Sequence, residues 1–145
     1  MDISINTPAL LFPAISLVML AYTNRFLALS NRVRSLHDKY VENKEGNKTI
    51  HAQIKSLRYR LNLIKHMQGL GIITFIAAIF SIFLFYIDEK FVANIFFAAS
   101  LLAFTVSLIF SFIEIMMSNK AIELELSDME GLENPNMIEY IKSKF

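Results

Sequence analysis

The chain has 145 residues, of which 54% are apolar and 19% are charged, and it contains no cysteine. Soluble domains contain roughly 45–50% apolar and about 25% charged residues, so the composition excludes intrinsic disorder and argues against an ordinary soluble domain. The lack of cysteine excludes disulfides and a thiol nucleophile. A net charge of +1 argues against a globally basic nucleic-acid-binding protein.

The first apolar segment covers residues 8–22 and is followed by Thr-Asn-Arg. Fifteen apolar residues are short for a membrane span, but Ile3 and Ile5 upstream and snorkelling of Arg25 downstream extend the segment to a span of about 5–26. A cleaved signal peptide is the alternative. It needs a basic N-terminal region, which this chain lacks, so a retained span is favoured. Pro13 predicts a kink or a delayed start in this helix.

The polar segment 27–66, which we call the stalk, has apolar residues at heptad spacing on both sides of a central turn. A turn near Glu45 pairs residues whose numbers add to 90, and all four of these pairs are apolar. The pattern predicts an antiparallel helical hairpin that continues the first two spans. Its seam consists of Leu29, Val33, Leu36, Tyr40, Ile50, Ile54, Leu57 and Leu61.

Two longer uncharged segments predict a second span at 68–87 and a third at 91–113, separated only by Asp88-Glu89-Lys90. Each is about as long as the roughly 20 helical residues that cross a bilayer. A buried hairpin of a large soluble protein is the alternative, but the chain has too little polar sequence to cover one. The predicted fold is therefore all-α: one membrane domain with three transmembrane helices, the stalk and a tail at 114–145.

The basic residues predict the orientation of the spans. Of 14 lysines and arginines, ten lie between residues 25 and 65, three lie in the tail, and none precedes the first span. The positive-inside rule therefore places the stalk and the C-terminus in the cytoplasm and the N-terminus outside. In the tail, Gly131 predicts the end of the third helix, and Asn134-Pro135 predicts the start of a short amphipathic helix.

Polar residues within the spans form a second pattern. A heptad face of the third helix carries hydroxyl side chains, and the second span contributes Thr74 and Ser81. Such stripes of small residues let helices approach closely, and a polar path through the membrane is the alternative function. Both alternatives stay open on sequence alone. The candidate path or packing residues are Asn24, Ser100, Ser107, Ser111 and Ser118.

Charges at the membrane edges are candidate functional residues, because an unpaired charge there is costly. Arg25 and Glu114 each end a span on the predicted cytoplasmic side, so they are predicted to pair. Replacing both would then cost less stability than the sum of the single replacements. Asp2, Asp88 and Glu89 form a predicted external acidic cluster. In a ring of subunits it would attract cations, and in a monomer it is a set of ordinary turn charges.

The three histidines are scattered along the stalk without metal-ligand spacing, so neither a metal site nor a cofactor is expected. The sequence shows no nucleophile–histidine–acid arrangement and no phosphate-binding loop, so we do not expect an enzyme. The basic stalk favours contact with anionic lipid, although a solvated helix face is the simpler interpretation. It lacks the aromatic platforms of nucleic-acid-binding proteins, so nucleic acid is not an expected partner.

Three blocks, Thr7–Tyr40, Gln53–Gln68 and Glu114–Glu130, resemble a domain-of-unknown-function family of small bacterial inner-membrane proteins with three spans. The resemblance implies a helical protein of the bacterial inner membrane. It implies no activity, because the family has no assigned chemistry.

The polar residues along the otherwise apolar spans lead to two functional hypotheses. The first is a homo-oligomer that forms a conducting path for an ion or small solute. The alternative is a non-conducting scaffold or accessory subunit whose stalk binds a partner. Both place the chain in the lipid bilayer.

Overall fold

The computed structural model describes the backbone of residues 4–42 and 47–144, and the side chains of residues 4–42, 51–124, 126 and 127. Nearly all of these residues are helical, which confirms the predicted all-α fold. The four helices are α1 (Asn6–Ala9), α2 (Leu11–Glu42), α3 (Asn47–Tyr86) and α4 (Lys90–Lys144).

Three stretches are long and apolar enough to cross a membrane: Asn6–Glu42, His51–Tyr86 and Lys90–Leu124. Large apolar side chains cover their outer surfaces; Phe91, for example, is 77% exposed. Exposed apolar area on this scale is unfavourable in water and is expected in lipid. The chain is therefore a multi-pass membrane protein with three spans, as predicted. The bacterial inner membrane and the orientation stay predictions.

The first span begins with a short helix and a break. Helix α1 ends at Ala9, and α2 starts at Leu11 with Pro13 in its first turn. The proline ring clashes with the carbonyl four residues earlier, which belongs to Ala9, so a single unbroken helix is disfavoured at this point. This geometry agrees with the delayed start that Pro13 predicts.

A tight turn joins α3 to α4. The Glu89 amide donates to the Leu84 carbonyl at 3.0 Å, and the Asp88 amide donates to the Phe85 carbonyl at 3.2 Å. Asp88 has a φ of 64°, in the left-handed region. Together these features form a Schellman motif, which closes the end of α3 and allows the chain to reverse.

The chain divides into two compact units, Met1–Ser111 and Phe112–Phe145. The second unit consists of the C-terminal part of α4, which continues to Lys144 without a break. The helix end predicted at Gly131 is therefore wrong, as is the restart at Asn134-Pro135. Glycine inside a helix costs only about 1 kcal/mol relative to alanine, so it does not oblige a helix to end. Proline costs about 3 kcal/mol, and local propensity does not explain the continuation of α4 through Pro135.

Inside the first unit, one face of α3 is buried along most of its length. The buried positions recur every three or four residues, as in the seam of a left-handed bundle. Large residues occupy its first part and small or hydroxyl residues the rest, with the change between Met67 and Gly71. The buried residues are Leu57, Arg60, Ile64, Met67, Gly71, Thr74, Ala78 and Ser81.

Candidate functional site

A polar layer lies where the three long helices meet inside the first unit. Ser107 of α4 donates from Oγ to the Met67 carbonyl of α3 at 3.0 Å, and the same Oγ lies 3.1 Å from the Tyr22 hydroxyl of α2. The Tyr22 hydroxyl also donates to the Ser107 carbonyl at 3.3 Å. Both residues are buried, and Tyr22 and Met67 belong to the same apolar cluster as Ile64. This layer thus links all three spans.

Other hydroxyls of the spans also have partners. Ser81 of α3 donates to the Ala93 carbonyl of α4 at 2.9 Å, which ties the two helices together near their turn. Thr74 and Ser100 donate to carbonyls of their own helices at 2.9 and 2.8 Å. All three side chains are fully buried. Their polar atoms are therefore satisfied within the protein, as the apolar surroundings require.

Helices α2 and α3 approach closely at Gly71. A Cβ atom added to Gly71 would collide with the sulfur of Met19, so the absence of a side chain permits this contact. Nearby, the rings of Phe12 and Phe75 pack edge to face, with centroids 4.8 Å apart. The numbers of Met19 and Gly71 add to 90, the sum predicted for the pairs of the stalk, whereas those of Phe12 and Phe75 add to 87. The contact at Gly71 therefore has the antiparallel register predicted for the helices that extend from the first two spans.

The other candidate polar residues have varied surroundings. Asn24 is exposed, whereas Ser111 and Ser118 are half-buried. Only Ser100 and Ser107 of the predicted set are fully buried. The periodicity of the stripe predicted a polar face, but it could not show which hydroxyls have protein partners.

The membrane-edge charges lie in different units. Arg25 in the first unit is half-buried, and Glu114 in the second is only 2% exposed. Each has an interaction partner in the structure. Their mutual pairing stays a prediction. Sequence reasoning did not find the burial of Arg60, which is 5% exposed. Its place in the seam, three residues after Leu57 and four before Ile64, was a usable signal.

The predicted stalk seam is partly buried. Leu57 is buried, and six other seam residues are half-buried: Leu29, Val33, Leu36, Tyr40, Ile54 and Leu61. The side chain of Ile50 lies outside the described residues. Leu29 packs against the cluster of Tyr22, Ile64 and Met67. Heptad pairing of the two helices along the whole stalk, as in an antiparallel coiled coil, stays a prediction.

The external acidic cluster is described only in part. Asp88 and Glu89 are exposed, and Asp88 forms an ion pair with Lys90 at 3.2 Å. Asp2 lies outside the described residues. Within the part of the chain with described side chains, no three histidine, aspartate or glutamate residues come together as metal ligands would.

A basic cleft of about 520 Å³ lies on α3 beside Phe26 of α2. Its lining includes three cationic side chains, and no carboxylate is among the described residues that form it. Sequence analysis identified these cations as part of a basic face but did not predict a concave site. The lining consists of Phe26, Lys55, Arg58, Tyr59, Leu61, Asn62 and Lys65.

A second, apolar groove of about 310 Å³ lies deeper in the span region. Ser16 and Met19 contribute from α2, and the α3 side consists of Gly71, Ile72, Phe75 and Ile76. The groove includes the close approach at Gly71. Its lining is almost entirely apolar.

The chain is helical, has three spans, and pairs α2 with α3 at Gly71 in an antiparallel register. These features are those of a small helical membrane protein. A family model described as Protein of unknown function (DUF2721) matches residues 5–124. The chain belongs to the DUF2721 family. This membership confirms the predicted resemblance to a domain-of-unknown-function family. No curated protein and no solved structure matches this DUF2721 chain.

Proposed function

We propose that this DUF2721 protein is a non-conducting, non-enzymatic membrane scaffold whose stalk binds a partner at the membrane surface. The observation that carries the proposal is the hydrogen bonding of Ser107, whose hydroxyl bridges to α2 and α3. A hydroxyl that lines a conducting path must be available to the permeating species. In this bundle the fully buried hydroxyls contact protein groups instead, which supports a packing role.

The continuity of the helices supports the second half of the proposal. Helix α2 extends 16 residues beyond the predicted span end at 26, to Glu42, and α3 begins 21 residues before the span at 68. Each extension rises about 1.5 Å per residue, so the stalk reaches roughly 25 to 30 Å from the membrane edge. Because no break separates the stalk from the spans, a partner on the stalk is held at a defined distance from the bilayer.

Ion flux in liposomes tests the non-conducting half of the proposal. The purified chain is reconstituted at known density, and flux is measured across a range of pH and voltage beside protein-free liposomes. We expect no flux above that of the protein-free liposomes. Flux that scales with protein density, together with a multimeric native mass in detergent, would overturn the proposal. That result would favour the conducting homo-oligomer that the polar stripe predicts.

Site-specific photocrosslinking tests the partner. A photoreactive residue at exposed Ser35 of the stalk is compared with one at exposed Ile79 of the second span. We expect a discrete protein adduct from position 35 in intact cells and none of the same mass from position 79. Identical adducts from both positions, or no protein adduct from position 35, would contradict a stalk-specific partner.

A further inference from the structure

We propose that the basic cleft and the apolar groove together form a binding site for one anionic phospholipid. The cleft takes the phosphate headgroup, and the groove takes an acyl chain. This site does not depend on the scaffold function, since lipid binding is measurable whether or not a partner exists.

The two cavities lie on the same side of the α2–α3 pair. Seven residues, close to two helical turns, separate Lys65 in the cleft from Ile72 in the groove. The same interval separates Phe26 from Met19 on α2. Residues seven apart share a helix face, and the interval corresponds to about 10 Å along the axis. The basic cavity and the apolar cavity therefore lie one after the other along the same face of the α2–α3 pair. The headgroup and the acyl chains of a phospholipid are arranged in the same order.

The lining of the two cavities changes from cationic to apolar at the predicted membrane boundary. Lys65 lies three residues, or about 4 to 5 Å, outside the predicted span start at 68, within a headgroup layer of about 5 to 7 Å. Arg58 and Lys55 lie about 15 and 20 Å outside the same boundary, so Lys65 is the cleft cation at headgroup depth and the other two attract anionic lipid from further out. The groove lies on the other side of this boundary, at the depth of the acyl chains. A soluble anion would use the cleft alone and would leave the groove without a ligand.

Gly69 lies between the two cavities in the sequence of α3. A Cβ atom added at this position would meet nothing within 4 Å, so open space adjoins the backbone here. At Gly71, two residues later in the helix, the side chain of Met19 instead occupies the corresponding space. The open space at Gly69 provides room for a chain to pass from the cleft to the groove.

Charge removal tests the headgroup half of the site. Full-length protein in a neutral detergent is titrated with phosphatidylglycerol and with phosphatidylcholine of the same acyl chains. We expect preference for phosphatidylglycerol. Removal of the three cleft charges should lower that affinity by about fivefold if only Lys65 contacts the headgroup, and by about a hundredfold if all three cations contribute, at roughly fivefold per cation. The matched control removes three exposed charges elsewhere and should stay within about threefold. The cleft variant is Lys55→Gln, Arg58→Gln, Lys65→Gln, and the control is Arg34→Gln, Lys39→Gln, Lys120→Gln.

Two results of this titration would overturn the proposal. One is equal affinity for the two lipids in the unmodified protein. The other is an equal loss in the cleft and control variants, which would indicate attraction to net charge rather than a site. A third arm adds millimolar inorganic phosphate. Displacement of the lipid by phosphate would assign the cleft to a soluble anion and would also overturn the proposal.

Filling the space at Gly69 tests the acyl-chain half. Gly69→Leu places a side chain between the cleft and the groove at a position where a Cβ atom meets no protein atom within 4 Å. We expect the thermal midpoint of the lipid-free protein to be no lower, because leucine has a higher helix propensity than glycine. We also expect at least a tenfold loss of phosphatidylglycerol affinity, since each buried methylene contributes severalfold to lipid binding. Unchanged lipid affinity in a folded Gly69→Leu protein would contradict occupation of the groove.

Discussion

The Tyr22 hydroxyl lies 3.1 Å from the Ser107 hydroxyl, although 85 residues separate them in the chain. This contact joins α2 of the first span to α4 of the third. The hydrogen bond from Ser107 to the Met67 carbonyl connects α4 to α3 as well. In lipid, apolar side chains gain little by leaving their surroundings, so packing and interhelical hydrogen bonds determine how helices associate. This layer is therefore expected to contribute to the specificity of the bundle.

Removal of either hydroxyl should weaken the bundle. We expect Tyr22→Phe and Ser107→Ala each to lower the free energy of unfolding by about 0.5 to 1.5 kcal/mol, the usual range for an interhelical hydrogen bond. Because both variants remove the same interaction, the double variant should lose less than the sum. Denaturant unfolding in detergent micelles measures these values. Strictly additive losses would show that the two hydroxyls act independently.

The two glycines at the start of the second span should respond differently to the same substitution. Gly71→Leu inserts a side chain against Met19 and should cost about 1 to 3 kcal/mol by overpacking. Gly69→Leu is the matched control, because a Cβ atom added at that position meets no protein atom within 4 Å. Thermal unfolding in detergent compares them.

Shortening the side chain opposite Gly71 should restore part of the lost stability. We expect Met19→Ala to destabilise the native protein but to raise the unfolding temperature of the Gly71→Leu variant. This sign reversal is specific to a direct contact between the two positions. If Met19→Ala lowers both unfolding temperatures equally, the close approach at Gly71 is not the cause of the loss.

The turn between α3 and α4 should be sensitive to side-chain shape at Asp88. Its φ of 64° is accessible to glycine and tolerated by aspartate, but it is strongly disfavoured for β-branched residues. We expect Asp88→Val to be less stable than Asp88→Gly by about 1 to 2 kcal/mol. Glu89→Val, at an adjacent exposed position, is the control for loss of a surface charge. Equal stability of the two Asp88 variants would contradict the left-handed conformation.

The burial of Glu114 predicts a cost for its removal that an exposed glutamate on the same helix does not share. Glu114 is 2% exposed and has an interaction partner, so truncation removes a buried polar interaction and leaves a cavity in its place. We expect Glu114→Ala to lower the free energy of unfolding by about 1 to 3 kcal/mol. Glu123→Ala, at an exposed position, should leave stability unchanged. Similar unfolding curves for both variants would contradict a structural role for the Glu114 carboxylate.

Predictions from sequence periodicity were correct where a single physical requirement determines the pattern. A bilayer requires about 20 apolar residues per helical span, so the two long uncharged segments predicted the second and third spans directly. The first apolar segment has only fifteen residues and became a predicted span only with its flanking residues. The antiparallel register also followed from the apolar spacing of the stalk, since contacts such as Met19 with Gly71 obey the same pairing. The helix end at Gly131 was predicted wrongly, because a local propensity of about 1 kcal/mol does not determine a helix boundary by itself.

The surroundings of individual polar residues were decided only by the tertiary structure. The sequence alone determined that Ser100, Ser107 and Glu114 share a helix face, because helical periodicity fixes which residues lie together on one helix. It could not determine that Ser107 bonds to Tyr22 and Met67 or that Arg60 is buried, because these facts depend on which face of a neighbouring helix lies opposite. The same holds for the cleft and the groove, whose walls come from two helices and exist only once α2 and α3 pack together.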